Sequence, residues 1–163
     1  MRIRIGEVRL FFDVEGSKLR PQSSSMREVP TLLLLHGGPG ADHSTFKPAF
    51  SALASIAQVI YLDLRGNWRS DAGLVSKLSL EQWTQDVHSF CKARSIDRSI
   101  VFGHSMGGIV AMLYAIRHPN HLLKLVLSST STQPVGRTFF CSIQAAGWSK
   151  RTYRSDGFLD RSK

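Results

Sequence analysis

Short apolar runs punctuate the first 130 residues, and their spacing predicts most of the fold. Arg-Ile-Arg-Ile at 2–5 and Val-Arg-Leu-Phe-Phe-Asp-Val at 8–14 read as two strands joined by a tight Gly6-Glu7 turn. Residues 15–30 hold Ser23-Ser24-Ser25, two prolines and mixed charges, and read as a loop. From residue 31 the pattern alternates between strand and helix. Strands are expected at 31–35, 58–62, 99–102 and 122–128, and helices at 45–56, 80–94 and 106–117. Alternation of this kind implies a parallel sheet with right-handed crossovers. Several of the strands lack polar alternation, as expected where helices cover both faces. The 80–94 segment is sided: Trp83, Val87, Phe90 and Cys91 recur at helical spacing, with Gln82, Gln85, Asp86 and Lys92 between them. The rhythm stops after residue 132, and 135–163 is expected to be a basic, irregular tail following one domain over 1–134.

Composition narrows the class without naming a function. With 42% hydrophobic and 20% charged residues, the 163-residue chain suits one soluble globular domain. The net charge of +9 would suggest a nucleic-acid partner if it formed a stripe interleaved with aromatics. Instead the balance is +2 over residues 1–30, +3 over 31–136 and +4 over 137–163, so specific nucleic-acid recognition is not expected. Cys91 and Cys141 form no disulfide framework or metal pattern, and both are read as reduced thiols. Neither an apolar span nor a signal peptide is apparent. A cytoplasmic location with no membrane partner follows as an expectation, and no cofactor or metal is expected.

The chemistry concentrates in two glycine-rich turns. Gly103-His104-Ser105-Met106-Gly107 stands between a strand-like run and a helix-like run. This is the context of a nucleophile elbow, in which a serine sits at a strained backbone angle and flanking glycines make room. A serine that only caps the helix is the plainer alternative. The second turn is His36-Gly37-Gly38-Pro39-Gly40, directly after the strand at 31–35. Alone it would fit a simple turn. Beside an elbow it supplies what acyl chemistry needs, because a tetrahedral intermediate requires two backbone donors. The amides of Met106 and Gly38 are the candidates for that oxyanion hole. His36 is expected to order the loop.

These motifs, with Asp-Leu-Arg-Gly-Asn-Trp-Arg-Ser-Asp at 63–71 and the His118-Pro119 that closes the following helix, resemble the α/β-hydrolase superfamily. The resemblance covers about residues 5–132 and is nearest to the proline iminopeptidase branch. It implies an HGGPG oxyanion loop and a following loop of the form Asp-x-Arg-Gly-x-Gly-x-Ser, matched here by Asp63, Arg65, Gly66 and Ser70. Trp68 stands where that family usually has glycine. Asp63 and Arg65 are expected to brace the loop. The resemblance further implies a fold that continues beyond the strand at 122–128 with a cap, an acid and a histidine.

The base is the gap in this reading. In this fold the triad runs serine, acid, histidine. After Ser105 the histidines are His118 and His121, and the acids are Asp156 and Asp160. A helix starting under Ser105 would carry His118 about 18 Å away, whereas general-base contact needs about 3 Å. The expectation is therefore the front part of a serine hydrolase for small peptide, amide or ester substrates. It keeps nucleophile and oxyanion hole and lacks acid and histidine, so it would be weakly active or inactive alone. The alternative is a noncatalytic form that associates through an open apolar edge at 122–128.

Overall fold

The computed structural model describes residues 1–131, which belong to one compact unit, Met1–Thr132. The expected 135–163 tail, Cys141 and the acids at 156 and 160 lie outside the described residues.

The chain opens with β1 (Arg2–Ile5) and β2 (Val8–Glu15), an antiparallel hairpin turned at Gly6, whose φ is +57°. The segment expected to be a loop forms a second small sheet of β3 (Leu19–Gln22) and β4 (Ser25–Glu28). Most of its side chains are exposed, so no apolar alternation announces it. Ser23, at φ +52°, makes its turn, and Lys18 pairs with Glu28 at 3.0 Å.

β5 (Thr31–Leu35), β6 (Gln58–Leu62), β7 (Ser99–His104) and β8 (Leu122–Ser128) then complete a six-stranded sheet in the order β1-β2-β6-β5-β7-β8. The four later strands are parallel; β1 and β2 are the antiparallel flank. All five residues of β5 are buried, as a central strand covered on both faces requires. Leu32, Leu34, Val59 and Tyr61 meet Phe46 and Ala57 on one face, with Phe50 and Phe102 packed against them.

The helix expected at 45–56 is instead two short 3-10 segments, His43–Phe46 and Ala49–Ser55. Pro48 is the cause. The residue before a proline is pushed out of the helical region, and Lys47 is extended at φ −95°, ψ 143°. The two long helices match expectation: α1 (Leu80–Ala93), capped by Ser79 through its bond from the Gln82 amide, and α2 (Met106–Arg117). They pack against each other, α1 against β1, and α2 against β5, β7 and β8. Among the described residues no helix is long and apolar enough to cross a membrane.

β8 is the last strand of the sheet among the described residues. Leu123, Leu125, Val126 and Leu127 are each 37–43% exposed.

Candidate active site

β5 is hydrogen-bonded to β6 on one side and β7 on the other, and Leu35 lies level with Gly103. The loop after β5 leads toward β6, while the turn after β7 leads through α2 to β8. Adjacent strands whose following connections part in opposite directions leave a crevice at their carboxyl ends, the usual ligand position in such sheets. Ser105 and His36-Gly37-Gly38 stand at that crevice. A Cβ built on Gly37 would lie 3.2 Å from the Ser105 Cβ.

Ser105 has φ +51° and ψ −119°, a backbone conformation L-residues rarely hold. It occupies the N-cap position of α2, yet its side chain makes no capping bond. The hydroxyl is thus not engaged as a helix cap, and the residue is partly exposed. Its backbone is over-determined. The Ser105 amide donates to the Ser128 carbonyl at 3.0 Å, and its carbonyl accepts from the Gly108 amide at 3.0 Å and the Thr130 hydroxyl at 2.8 Å.

The turn exists because glycines let backbone touch backbone. A Cβ on Gly107 would fall 2.2 Å from the Leu35 carbonyl oxygen and 2.4 Å from that of His36; one on Gly103 would fall 2.5 Å from the Gly107 carbonyl. α2 therefore starts against the end of β5, with the buried Met106 beside the Gly38 loop: the Met106 Cε is 3.3 Å from a Cβ position on Gly38. The positive end of the α2 dipole faces the same crevice.

His36 is fully buried and tied twice. Its Nδ1 lies 2.6 Å from the Gly37 carbonyl, and Nε2 accepts the Leu64 amide at 3.0 Å. That pair of bonds demands the neutral tautomer with the proton on Nδ1. Burial holds the ring's pKa below the ordinary histidine value, partly opposed by the Gly37 bond and the charges of Asp63 and Asp42. Pro39 is half-buried, and Gly40 donates to Asn67 Oδ1 at 3.0 Å.

Behind this loop, Asp63 Oδ1 accepts from the His43 amide at 3.0 Å and lies 2.7 Å from His43 Nδ1. Arg65 forms a two-pronged, buried pair with Asp86 of α1, Nε to Oδ2 at 2.7 Å and Nη2 to Oδ1 at 2.9 Å. Trp83 Nε1 donates to the Arg65 carbonyl at 2.8 Å. Ser70 Oγ donates to the Asp63 carbonyl at 2.6 Å and accepts from the Phe11 amide. Trp68 takes φ +39°, where glycine is at ease and a large side chain is not. Its side chain is 53% exposed, so little packing holds it there. Trp68→Gly is expected to gain about 0.5–1 kcal/mol, relief of left-handed strain outweighing the entropy lost by glycine. An upward shift of the urea midpoint measures it.

The structure thus gathers Ser105, Met106, Gly37 and Gly38 at one crevice. His104 adjoins it, its Cδ2 also 3.2 Å from the Gly37 Cβ position. Asp63 and Arg65 lie beneath, bonded to other elements. His118 and His121 are at the other end of α2, their rings against His88 of α1. All six histidines are described, and none bonds the Ser105 hydroxyl. Sequence reasoning missed Asn67 and Thr130, which hold the two turns, and Asp86, which holds Arg65 of the loop beneath them. Only Asn67 sits inside a motif that could have flagged it.

Stability should fall in mild acid. His36, His88 and His118 all have pKa values held below the ordinary 6.5, chiefly by burial. For His88 and His118, neighbouring histidines, Lys92 and Arg117 add to the effect. The unfolded chain therefore binds these protons more readily, so their contribution is complete above pH 6.5 and is lost as pH falls through the folded values. Each group costs up to about 1.4 kcal/mol per pH unit within its window. Urea midpoints between pH 7.5 and 5 check this, with His88→Phe expected to flatten part of the slope.

The family model for the alpha/beta hydrolase fold matches residues 30–157. The chain belongs to the alpha/beta hydrolase family. Among curated relatives, a 1-acylglycerol-3-phosphate O-acyltransferase of Arabidopsis thaliana is 40% identical over 104 residues, which are 61% of this chain and 24% of that protein. A proline iminopeptidase of Pestalotiopsis fici is 29% identical over 125 residues, 74% of this chain and 43% of that one. Among solved structures, a bacterial membrane phospholipase A superposes with a TM-score of 0.73 at 27% identity, covering 90% of this chain and 44% of its own. An enol-lactonase of Burkholderia xenovorans gives 0.70 at 25%, covering 80% and 47%. The chain spans a quarter to under half of the length of these relatives.

Proposed function

We propose that this chain carries the nucleophile and oxyanion hole of a serine-dependent acyl hydrolase. One observation carries the reading: Ser105 is held at φ +51° at the sheet's crevice, with its hydroxyl uncapped and two backbone amides, Gly38 and Met106, on neighbouring turns. In the reaction the Ser105 oxygen attacks the carbonyl carbon of an ester, amide or peptide and loses its proton to a base. The resulting oxyanion takes hydrogen bonds from the two amides, worth about 3–4 kcal/mol each in comparable sites. The leaving alcohol or amine departs with a proton, and water then releases the acyl group from the serine.

The base and acid of this proposal come from outside residues 1–131, either from a longer form of the chain or from another chain. Without a triad histidine the rate falls by about a millionfold. The His36–Gly40 loop, the 63–70 motif and the P. fici relative favour a proline iminopeptidase-like substrate. The A. thaliana acyltransferase favours an acyl ester. A fluorophosphonate probe tests the common claim: the folded protein is labelled, and Ser105→Ala is not. Failure of the folded protein to label at all, or labelling that survives Ser105→Ala, overturns it.

The exposed leucines of β8 favour a second reading, a noncatalytic role through sheet-edge pairing. The Ser128 carbonyl is spent on Ser105, so by alternation the peptide groups of Leu125 and Leu127 face outward. A second copy pairing Leu125 with Leu127 across a two-fold axis would continue the sheet and set Lys124 opposite Ser128. Light scattering should then show dimer for the native chain and monomer for Leu125→Lys.

A further inference from the structure

The His36–Gly40 loop is held at both ends by the turn that follows β6. At its start, the Leu64 amide donates to His36 Nε2 at 3.0 Å. At its end, the Gly40 amide donates to Asn67 Oδ1 at 3.0 Å. Only Gly37, Gly38 and Pro39 lie between the two holds, and the Pro39 ring fixes its own φ. Gly38 is the middle of this short span. A Cβ built on it would lie 3.5 Å from Asn67 Oδ1 and 3.3 Å from Met106 Cε, so Asn67 and the residue bearing the other oxyanion donor both stand against it. The Gly38 amide itself makes no hydrogen bond among the described residues, which leaves it free to donate.

Asn67 is fully buried, and its side chain has one workable orientation. Nδ2 donates to the Leu64 carbonyl at 3.2 Å and to the Arg65 carbonyl at 3.1 Å. A flipped amide would press its oxygen against both carbonyls and its NH2 group against the Gly40 amide. The backbone beneath it is equally fixed: the Asn67 amide donates to the Leu64 carbonyl at 2.9 Å, and the Asn67 carbonyl accepts from the Ser70 amide at 3.0 Å. The acceptor offered to Gly40 is therefore rigid.

We propose that Asn67 is a positioning residue for the oxyanion hole, holding the Gly40 amide so that the Gly38 amide faces the crevice. This role rests on the acyl-hydrolase reading of Ser105. Asn67 touches no reacting atom in it, because both of its amide protons are committed to carbonyls. An oxyanion hole works when its donors are in place before charge develops. Two glycines in succession have too much backbone freedom to stay in place unaided.

The test is the rate at which a fluorophosphonate labels Ser105 in the full chain, measured on protein shown to be folded by circular dichroism. Asn67→Ala should slow labelling by about tenfold or more, in the bond-forming step rather than in probe binding. Asn67→Asp adds a readout that packing would not move. Ionised, the introduced carboxylate sets an oxygen against the Leu64 and Arg65 carbonyls; protonated, it donates to one of them and still accepts from Gly40. Burial raises the pKa of such a carboxyl. Its labelling rate, divided by that of the unaltered chain at the same pH so that shared titrations cancel, should therefore climb severalfold from about pH 8 to about pH 6. The same ratio for Asn67→Ala should stay level. A residue that only stabilises the fold would lower the urea midpoint of both variants and leave the labelling rates of the folded proteins unchanged. That result overturns the proposal, as does a ratio for Asn67→Asp that ignores pH. If Asn67→Ala does not fold, the pH series on Asn67→Asp decides alone. Failure of the unaltered chain to label at Ser105 instead overturns the acyl-hydrolase reading, and this role with it.

Discussion

Gly107→Ala should fail to give a folded protein. The added carbon would lie 2.2 Å from the Leu35 carbonyl oxygen, 2.4 Å from that of His36 and 2.6 Å from the Leu35 carbonyl carbon. All three are backbone atoms, and Leu35 belongs to a fully buried strand paired on both sides, so nothing near can yield cheaply. Relief requires α2 to lift from the sheet, which opens the contacts of Val110, Ala111 and Tyr114 as well. A loss above about 4 kcal/mol is expected, a large share of the 5–15 kcal/mol that holds such a domain. Gly6→Ala is the contrast. Gly6 also has a positive φ, but a Cβ there meets nothing within 4 Å, and the cost should stay near 1 kcal/mol. Urea unfolding by circular dichroism separates the two: a normal transition, slightly shifted, for Gly6→Ala, and none for Gly107→Ala. A native-like melt for Gly107→Ala would mean α2 does not start where it is drawn.

Arg65→Ala is the second large effect, with a cost of about 3–5 kcal/mol. The guanidinium is 3% exposed and satisfies both oxygens of Asp86, itself 2% exposed. Removing it leaves a buried carboxylate with only the Gln82 amide beside it. The ion pair also raises the Arg65 pKa, chiefly through the Asp86 hydrogen bonds. The cost comes from the stranded charge more than from the bond itself. Arg65→Met combined with Asp86→Leu should therefore recover much of the stability lost by Arg65→Ala. Urea midpoints of the unaltered chain and these two variants decide the matter. If the double variant is as unstable as the single one, the pair's fixed geometry, and with it the seating of residues 63–71 on α1, matters more than charge.

The contrast between these two positions shows what the chain makes plain before folding. Gly107 belongs to a local pattern of strand, glycine, serine, glycine and helix, so it reads directly even though the carbonyls it makes room for, those of Leu35 and His36, come from another strand. The parallel strands read for the same reason, because burial on both faces leaves continuous apolar runs. Asp86 does not read so. It appears as one polar residue on the solvated side of an amphipathic helix, and only the arrival of Arg65 from 21 residues earlier turns it inward. Thr130 and Asn67 are similar, as their partners are set by topology. The two misjudged segments fail on local grounds. At 45–56 the apolar spacing suits a helix, but Pro48 overrules it. At 19–28 two strands pair with little to bury, so the periodicity that marks a strand is missing.

The Thr130 hydroxyl holds the Ser105 carbonyl, and the Ser105 amide hangs on Ser128. The turn that carries Ser105 is thereby anchored to residues 128–130, at the end of β8. Two short links thus make the backbone angle of the serine answer to the register of β8 against β7.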